Sequence, residues 1–333
     1  MITILKPGLL TTIQDLGRYG FQKNGMIASG AMDPLAHRIA NILVGNDETD
    51  PTLEITLLGP TIEFQQDALI AICGGDLSPK IGEKPVKLWR PLFIKKGTIL
   101  HFTSCKTGCR AYLAVAGSFK IPSIMNSYST YLRAGIGGYN GRALTKGDQI
   151  NLGPKSQLSS RILSSFSEKN NPSNISNAGW TISKAIIPSY RPKPIIRVMQ
   201  GRQYHLFKKY SQTKFFTEQY KITPQSDRMG YRLNGPTLAL IQEEEMISEA
   251  VTFGTIQVPG DGQPIILLAD RQTTGGYPKI AQIATVDLPL IAQAKPGDSI
   301  SFMEITQQEA QLLYLSREKS IRQLKQGITW KYR

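Results

Sequence analysis

Short apolar runs, separated by glycine and proline, constrain the fold of this chain more than any other feature of its sequence. Branched and aromatic residues fill the runs, and 30 glycines and 20 prolines punctuate the sequence. Branched side chains favour a pleated sheet, whereas glycine and proline end strands and form turns. The sequence therefore predicts a mainly β protein with short strands at Leu53–Leu57, Thr61–Phe64, Leu69–Cys73, Thr98–Phe102, Arg110–Val115, Ile195–Met199, Thr237–Ile241, Val251–Val258 and Ile265–Leu268.

Convincing helix signals occur at two places. Asp33 is suited to an N-cap, Pro34 to the first helical position, and Gly45 to the stop that follows. Near the C-terminus, Thr306–Glu309 has the spacing of a capping box, and Gly327 follows an apolar stripe. We expect one helix after Asp33 and a second that ends at Gly327.

The length of 333 residues suits two domains. Twelve of the 23 residues in Ser156–Ala178 are serine or asparagine, so this stretch has little to bury and predicts a mobile connection. We expect a barrel at 1–155, a connection at 156–180, a second barrel at 181–305, and a helix with a basic tail at 306–333.

Three short motifs occur in the same order on both sides of the connection. Before it they are Gly59-Pro60-Thr61, Gly137-Gly138-Tyr139 and Lys146–Ile150, and after it they are Gly235-Pro236-Thr237, Gly275-Gly276-Tyr277 and Lys295–Ile300. The repetition reflects either two related barrels or coincidence.

The charge balance is strongly basic, with a formal net charge of +14. Much of the excess lies between Lys184 and Lys221, where Glu218 stands alone among nine basic residues. No zinc-finger, helix-turn-helix or ribonucleoprotein motif accompanies this charge, so we expect no nucleic acid partner. A phosphorylated ligand, an acidic partner subunit or a solvated face remain as explanations.

The three cysteines and the apolar runs point to a compartment. Cys73, Cys105 and Cys109 form no paired CxxC spacing, which favours reduced thiols buried as small apolar side chains. No basic leader precedes a long apolar stretch at the N-terminus, and no run approaches the roughly 20 residues that span a bilayer. We therefore expect a cytoplasmic protein that does not contact membrane.

The densest polar cluster follows directly on the predicted strand that ends near Leu268. A carboxylate, a guanidinium, a carboxamide, two hydroxyls and an ammonium within ten residues can surround a small polar substrate, and paired glycines allow close approach of backbone. The alternative is a polar turn capped by its own hydroxyls. The cluster consists of Asp270, Arg271, Gln272, Thr273, Thr274, Gly275, Gly276, Tyr277 and Lys279 with Pro278 between the last two.

Three further segments are rich in polar groups. Ser226–Arg232 contains Asp227 and Arg228, which either serve a site or pair with each other at the surface. Thr11–Gly20, with Asp15 and Arg18, leads into Ser29–Asp33, where glycines precede a helix N-terminus that favours anions. Asn126–Gly138, with Tyr131 and Arg133, lines a cleft or packs as an amphipathic edge.

Several catalytic motifs are missing from the sequence. It contains no GxxxxGK[ST] loop, no HExxH, no GxSxG and no CxxC. The histidines His37, His101 and His205 lack the spacing of metal ligands, so we predict no metal site. A self-sufficient hydrolase or ATPase cannot be assembled from these parts.

Five motifs together are specific enough to indicate a family. They are Thr12–Arg18, Ser29–Asp33, Ser129–Ala134, Ser226–Leu233 and the stretch from Ile256 to Lys279. In these motifs, over about residues 1 to 305, the chain resembles the biotin-dependent carboxyltransferase-like family. Its members include bacterial 5-oxoprolinase subunits, also described as Kip anti-inhibitors, and the allophanate hydrolase subunit 2 region of urea carboxylases. One departure is Asn126-Ser127-Tyr128, where many relatives carry Gly-Ser-Arg.

The resemblance implies a fold, a reaction and partners. It implies two cyclophilin-like β-barrels and a heteromeric complex with the A and B subunits of 5-oxoprolinase, of which the B subunit is a Kip inhibitor homologue. Together the subunits would open 5-oxoproline to glutamate at the expense of ATP, and which of them binds ATP is left open. The chain has no Met-Lys-Met biotin acceptor, so no covalent biotin is expected. The alternatives are antagonism of a Kip-type kinase inhibitor and a carboxyltransferase role in a urea carboxylase-like system.

Opening a lactam requires activation of its carbonyl, for example by phosphorylation of the amide oxygen before water attacks. On this basis Arg271 and Lys279 would stabilise the anionic intermediate, and Asp270 or Asp227 would orient or deprotonate the nucleophile. The residues expected to bind substrate are Gln272, Thr273, Thr274, Gly275, Gly276, Tyr277, Arg228, Tyr131, Arg133, Asp15 and Arg18.

Overall fold

The chain forms two compact units that interleave along the sequence. A computed structural model of the protein describes residues 1–167, 175–242 and 246–333. Unit 1 comprises Met1–Arg18, Asp33–Pro188 and Lys319–Arg333, and unit 2 comprises Tyr19–Met32 and Ser189–Glu318. Among the described residues, no helix combines the length and the apolar character needed to cross a membrane.

Unit 1 is built from two antiparallel six-stranded sheets. Their orders are β11-β1-β4-β9-β6-β7 and β12-β8-β5-β10-β3-β2. Aliphatic side chains from both sheets, such as Ile4, Leu53 and Leu113, form a common core. The strands are β1 (Ile2–Lys6), β2 (Leu10–Gln14), β3 (Thr52–Thr56), β4 (Thr61–Phe64), β5 (Ala68–Asp76), β6 (Lys80–Ile81), β7 (Lys84–Pro85), β8 (Leu92–Ile94), β9 (Ile99–His101), β10 (Thr107–Val115), β11 (Gln149–Ile150) and β12 (Ile175–Asn177).

The first helix, α1 (Pro34–Val44), matches the sequence prediction at both ends. The Asp33 carboxylate accepts a hydrogen bond of 3.0 Å from the Ala36 N–H, and Gly45 ends the helix with a φ of 75°. The helix packs against β5 and β10. Its Asp33 start is therefore held in the interior of unit 1, where Asp33 is 0% exposed.

The serine- and asparagine-rich stretch differs from the prediction of a mobile connection over its described part. It contains the helix α2 (Gln157–Ser167) and strand β12. Ile162 and Phe166 of α2 are buried, and Phe166 stacks on Phe93 at 6.3 Å between ring centroids. Composition alone underestimated how much of this segment is ordered, because two well-spaced apolar side chains are enough to anchor a short helix.

Unit 2 is a closed barrel with the strand order β13-β20-β17-β18-β15-β14-β21. The barrel closes through a parallel pairing of β13 with β21, and its core includes Met32 from the early part of the chain. The prediction of a mainly β chain is confirmed. The strands are β13 (Ile195–Gln200), β14 (Tyr220–Ile222), β15 (Gly230–Asn234), β16 (Glu249–Ala250), β17 (Thr255–Gln257), β18 (Ile265–Leu267), β19 (Thr274–Gly275), β20 (Lys279–Ile283) and β21 (Ser299–Glu304), and the helices are α3 (Lys209–Thr217) and α4 (Leu288–Ala292).

One pair of repeated motifs forms the same turn in both units. Asp148 accepts a hydrogen bond from the Thr145 N–H at 2.7 Å, and Asp298 accepts one from the Lys295 N–H at 3.0 Å. The intervening glycines have φ values of 92° and 95°, which residues other than glycine rarely adopt. Each turn leads into a strand, β11 in unit 1 and β21 in unit 2.

The C-terminal helix α5 (Gln307–Lys331) begins as predicted and ends later than predicted. Thr306 Oγ1 accepts from the Glu309 N–H at 3.1 Å, and Glu309 Oε2 accepts from the Thr306 N–H at 2.7 Å, which completes the capping box. The predicted end at Gly327 is wrong. Ile328 is buried in unit 1, and this packing outweighs the cost of about 1 kcal/mol for glycine inside a helix.

The predicted strand at Thr237–Ile241 is also wrong. The Leu238 N–H donates to Gly262 O, and the Ala239 N–H donates to the hydroxyl of Ser211. These bonds connect the segment to a turn and to a helix rather than to a continuous neighbouring strand. The apolar residues that suggested a strand are instead buried one by one, as Leu238 is.

Candidate functional site

A buried ion pair in unit 2 connects three of the sequence motifs. Arg228 Nε donates to Asp270 Oδ2 at 2.9 Å, and Arg228 Nη2 donates to Asp270 Oδ1 at 3.0 Å. Nη2 also donates to Gly30 O at 2.6 Å. The two side chains are only 7% and 8% exposed. Arg228 therefore fixes Asp270, with both carboxylate oxygens occupied, at the start of the polar cluster.

Asp227 has a local role instead of pairing with its neighbour Arg228. Its Oδ1 accepts hydrogen bonds from the Met229 N–H at 2.7 Å and the Gly230 N–H at 3.3 Å. The side chain is exposed and caps the turn that precedes β15. The alternative of a surface ion pair between Asp227 and Arg228 is thus replaced by the buried pair with Asp270.

Arg271 presents a guanidinium that is largely withdrawn from water. Its Nη1 donates to Leu268 O at 3.2 Å, Nε makes a weak bond to Val251 O at 3.4 Å, and the group lies 5.9 Å from the ring centre of Phe253. Burial lowers the pKa of this guanidinium. Within the described chain, no carboxylate lies at salt-bridge distance from Arg271, so its charge is available to an anionic ligand.

Lys279, at the other end of the cluster, has a carboxylate partner. Its Nζ donates to Glu249 Oε2 at 2.9 Å, and Arg202 Nη1 donates to Glu249 Oε1 at 3.0 Å. The Lys279 hydrogen bond is the main cause that lowers the pKa of Glu249. The amide oxygen of Gln203 accepts from the Lys279 backbone N–H at 3.2 Å. Two cations therefore share one carboxylate.

The segment between Arg271 and Lys279 is held as a defined loop. Strands β16 and β19 pair with Glu249 opposite Gly275. The Nε2 of the buried Gln257 donates to Tyr277 O at 3.2 Å. A Cβ added at Gly275 would lie only 2.6 Å from this Nε2. A side chain at position 275 would therefore displace Gln257.

The side chains of this loop differ in accessibility. Gln272, Thr274 and Tyr277 are exposed, and Tyr277 is 50% exposed. Thr273 and Gly276 are half-buried, and Thr273 O accepts from the Val251 N–H at 3.1 Å. The exposed members can contact a ligand without any rearrangement.

A groove of about 920 Å³ lies beside the C-terminal part of this loop in unit 2. Most of its lining residues are apolar or glycine, and Thr237 and Tyr277 are the lining residues that carry hydroxyl groups. A volume of this size suits a small organic ligand. The lining residues are Thr237, Leu238, Ala239, Leu240, Met246, Val258, Pro259, Gly260, Gly262, Gly276, Tyr277 and Pro278.

The predicted substrate ligand Asp15 is buried in unit 1 and is surrounded by donors. Its Oδ1 accepts from the Gly17 N–H and the Ser127 hydroxyl, both at 2.8 Å, and from the Ser129 hydroxyl at 2.5 Å. Its Oδ2 accepts from the Tyr128 N–H at 2.6 Å. These bonds organise the loop after residue 126 around one carboxylate.

Arg18 is 0% exposed and donates hydrogen bonds to the backbone of the same loop. Its Nε donates to Ile124 O at 3.1 Å, and its Nη2 donates to Ser129 O at 2.9 Å. The turn above it has positive φ values at Met125 (53°) and Asn126 (58°), which cost energy in residues other than glycine. Asp15 and Arg18 together hold this strained turn.

Tyr131 and Arg133 lie beyond that turn in unit 1. Tyr131 is half-buried and exchanges backbone hydrogen bonds with Ile136, and Arg133 is exposed on a short 3₁₀ turn. The sequence-predicted site residues thus fall into two sets. Asp15, Arg18, Tyr131 and Arg133 belong to unit 1, and the remaining predicted residues belong to unit 2.

Sequence reasoning missed three contributors to the site. Glu249 and Gln257 contact the loop from elsewhere in unit 2, and Arg202 contacts Glu249. Gln257 stood in a recognised motif, and its burial amid a predicted strand was the available signal. The pairing of Glu249 with Arg202 carried no signal, because the two residues lie 47 apart in sequence.

The described residues offer no cluster of metal ligands. In ranges 1–167, 175–242 and 246–333, no group of three or more histidine, cysteine, aspartate or glutamate side chains is placed to hold a metal ion. Cys73, Cys105 and Cys109 form no disulfide bond with described residues, and burial raises the pKa of Cys73 well above its usual value.

A family model described as carboxyltransferase domain, subdomain A and B, matches residues 24–304. This range includes the barrel and the polar loop of unit 2 as well as most of unit 1. The chain belongs to this carboxyltransferase family. The resemblance inferred from the five motifs is thereby confirmed.

Full-length relatives within the carboxyltransferase family are similar across the whole chain. The chain is 40% identical to the C subunit of 5-oxoprolinase from Haemophilus influenzae, over 98% of this chain and 99% of that protein. It is 39% identical to the C subunit of 5-oxoprolinase from Escherichia coli K12, over 93% of each.

A solved carboxyltransferase relative shares the fold. The urea amidolyase of K. lactis superposes with a TM-score of 0.86 at 30% identity, over 97% of this chain and 20% of that much longer chain. The same architecture therefore occurs both in separate subunits and as one region of a larger enzyme.

Proposed function

We propose that this chain is the C subunit of an ATP-dependent 5-oxoprolinase, which hydrolyses 5-oxo-L-proline to L-glutamate together with the A and B subunits. The observation that carries the proposal is the similarity to the C subunit of the Haemophilus influenzae 5-oxoprolinase, over 98% of this chain and 99% of that protein. Because the match extends from end to end, both units of this chain have counterparts in that relative.

Arg271 is the group best suited to stabilise an anion in this reaction. An unstrained lactam resists attack by water, and activation of its carbonyl generates anionic species. Arg271 has a partly buried guanidinium without a carboxylate partner among the described residues, and its orientation is fixed by Leu268 O and Phe253. A fixed donor in a poorly solvated position stabilises developing negative charge more strongly than water does.

Asp270 acts as a positioning residue in this proposal rather than as the base. Both of its oxygens accept hydrogen bonds from Arg228, and this bidentate pair fixes the orientation of the carboxylate. Its backbone N–H also donates to Arg228 O at 2.8 Å. Asp227 likewise uses its carboxylate to cap a turn. We therefore place the nucleophile's base outside this pair.

The groove beside Tyr277 is the proposed location of the lactam ring. Its apolar walls suit the methylene groups of a five-membered ring, and Thr237 and Tyr277 offer hydrogen bonds to an amide. Exposed Gln272 and Thr274 complete the polar rim of the loop. In this arrangement the loop provides the charged and polar contacts, and the barrel provides the apolar surface.

Reconstitution tests the proposal directly. The purified A and B subunits, with ATP and 5-oxoproline, should release glutamate and ADP only when this chain is added, and size-exclusion chromatography at micromolar concentration should show its co-elution with the B subunit. Equal consumption of 5-oxoproline without this chain would exclude the proposed role.

The fold match to the K. lactis urea amidolyase favours one second candidate, a carboxyltransferase role on carboxybiotin. In that case the chain would act with a biotin carboxylase and transfer the carboxyl group to a small amide. A mixture with biotin carboxylase, a biotinylated carrier protein, bicarbonate and ATP distinguishes the two. Carrier-dependent carboxylation of a small amide would favour carboxyl transfer, and glutamate formation from 5-oxoproline without the carrier favours the 5-oxoprolinase.

A further inference from the structure

The carboxylate of Glu249 is bound as an anionic ligand would be. Lys279 Nζ approaches one oxygen at 2.9 Å and Arg202 Nη1 the other at 3.0 Å. The side-chain amide of Gln203 also contacts this carboxylate. Two cations and an amide, from separate segments of unit 2, therefore converge on a single carboxylate that the chain itself supplies.

The two main partners differ in their access to water. The Lys279 side chain is 12% exposed, whereas the Glu249 side chain is 33% exposed. A nearly buried ammonium requires a counter-charge, but the identity of that charge is not fixed by burial. The Arg202 side chain is 77% exposed, and an ion pair between solvated side chains contributes little to stability, so another carboxylate can replace Glu249 at small cost.

The backbone around Glu249 lies beside the polar loop and the groove of the candidate site. In the described part of the chain, the two-residue strand β16 forms a two-stranded sheet with the equally short β19, in which Gly275 lies opposite Glu249. Tyr277 and Gly276, which follow β19, line the groove. A carboxylate that replaced Glu249 would thus belong to a ligand positioned along the polar loop.

We propose that Glu249 is an internal competitor, which occupies the position where Lys279 and Arg202 bind the carboxylate of the small-molecule substrate. Substrate binding exchanges one carboxylate for another, so the charge balance of the site is unchanged. This inference rests on the proposed function for the identity of the substrate, a cyclic amide with one carboxylate. It assigns to Arg202 a substrate contact that the sequence did not indicate.

The test is Glu249→Gln, with Glu304→Gln as the matched control. Glu304 is another acid of unit 2, and its exposed carboxylate accepts a hydrogen bond from Gln200. Both variants lose one negative charge, but only Glu249→Gln removes the competitor. Ligand-detected NMR should show that Glu249→Gln binds 5-oxoproline about three- to fivefold more tightly than the wild type, the effect of one exposed ion pair. Glu304→Gln should match the wild type within about twofold.

A neutral ligand separates charge from shape. 2-Pyrrolidinone is the ring of 5-oxoproline without the carboxylate, so its affinity should be the same for the wild type and Glu249→Gln. Adding Lys279→Gln to Glu249→Gln should abolish the gain for 5-oxoproline. Unchanged or weaker 5-oxoproline binding by Glu249→Gln, including no binding by any variant, overturns the proposal, as does equal tightening for 2-pyrrolidinone.

Inorganic phosphate distinguishes failure of this inference from failure of the proposed function. It probes the exposed cations whatever reaction the protein supports. Tighter phosphate and 5-oxoproline binding by Glu249→Gln supports the exchange, even if reconstitution shows no lactam hydrolysis. Tighter phosphate binding without tighter 5-oxoproline binding overturns the assignment of this position to the substrate.

Discussion

The buried pair between Arg228 and Asp270 leads to the sharpest stability prediction. Asp270→Asn preserves the shape of the side chain and removes its charge, which takes the bidentate carboxylate away from the buried Arg228 guanidinium. Removing one member of a buried pair typically costs about 3–5 kcal/mol. Because Arg228 keeps its 2.6 Å hydrogen bond to Gly30 O, we expect the lower limit, about 3 kcal/mol in the free energy of unfolding of unit 2.

The assay is calorimetry of the unfolding transition. For a unit of this size, about 3 kcal/mol corresponds to a fall of roughly 10 °C in Tm. The matched control is Asp227→Asn, which removes the adjacent carboxylate but keeps an oxygen that can accept from the Met229 N–H. The control should change stability by less than about 0.5 kcal/mol.

A double substitution completes this test. Replacing Arg228 and Asp270 together by leucine removes both charges, and paired removal of this kind is often close to neutral. The double variant should therefore be more stable than Asp270→Asn. Equal, small effects of Asp270→Asn and Asp227→Asn would refute the view that Asp270 is the counter-ion of Arg228.

Three further predictions concern the loop, a histidine and a glycine. Arg271→Lys should slow turnover of the reconstituted complex about 10²–10³-fold with Tm preserved, and activity within about threefold of wild type would move the anion contact elsewhere. Burial lowers the pKa of His37 from 6.5 to about 4, so between these pH values the unfolded chain binds more protons than the folded chain. The free energy of unfolding should therefore fall by about 3 kcal/mol as the pH drops from 6.5 to 4. In denaturant titrations His37→Gln should flatten this pH dependence, and an unchanged pH dependence would contradict the prediction. Gly137→Ala should cost several times more stability than Gly135→Ala, because both glycines have φ near 65–70° but only at Gly137 would a Cβ collide with Ser129 O; equal costs would contradict this.

Local chemistry explains what could be predicted from the sequence. The N-cap at Asp33, the stop at Gly45 and the capping box at Thr306–Glu309 all depend on residues within one or two helical turns. Most apolar runs likewise became strands, since β propensity and burial agreed at those positions.

Long-range pairing explains what could not be predicted. Arg228 and Asp227 are adjacent in sequence, yet Arg228 forms its bidentate ion pair with Asp270, 42 residues away. The helix passes Gly327 because Ile328 finds a buried position, which no local pattern discloses. Candidate site residues were selected by density of polar groups, and this criterion cannot separate a carboxylate that caps a turn from one that binds a ligand.

The interleaved composition of unit 2 has a consequence for synthesis of the protein. Residues Tyr19–Met32 leave the ribosome early, but Arg228, which binds Gly30 O, and the barrel core around Met32 come from Ser189 onwards. At about 5–20 residues per second, the roughly 150 intervening residues take about 8–30 s to translate. Throughout that interval Met32 lacks its core, so unit 2 cannot fold cotranslationally until most of the chain has emerged.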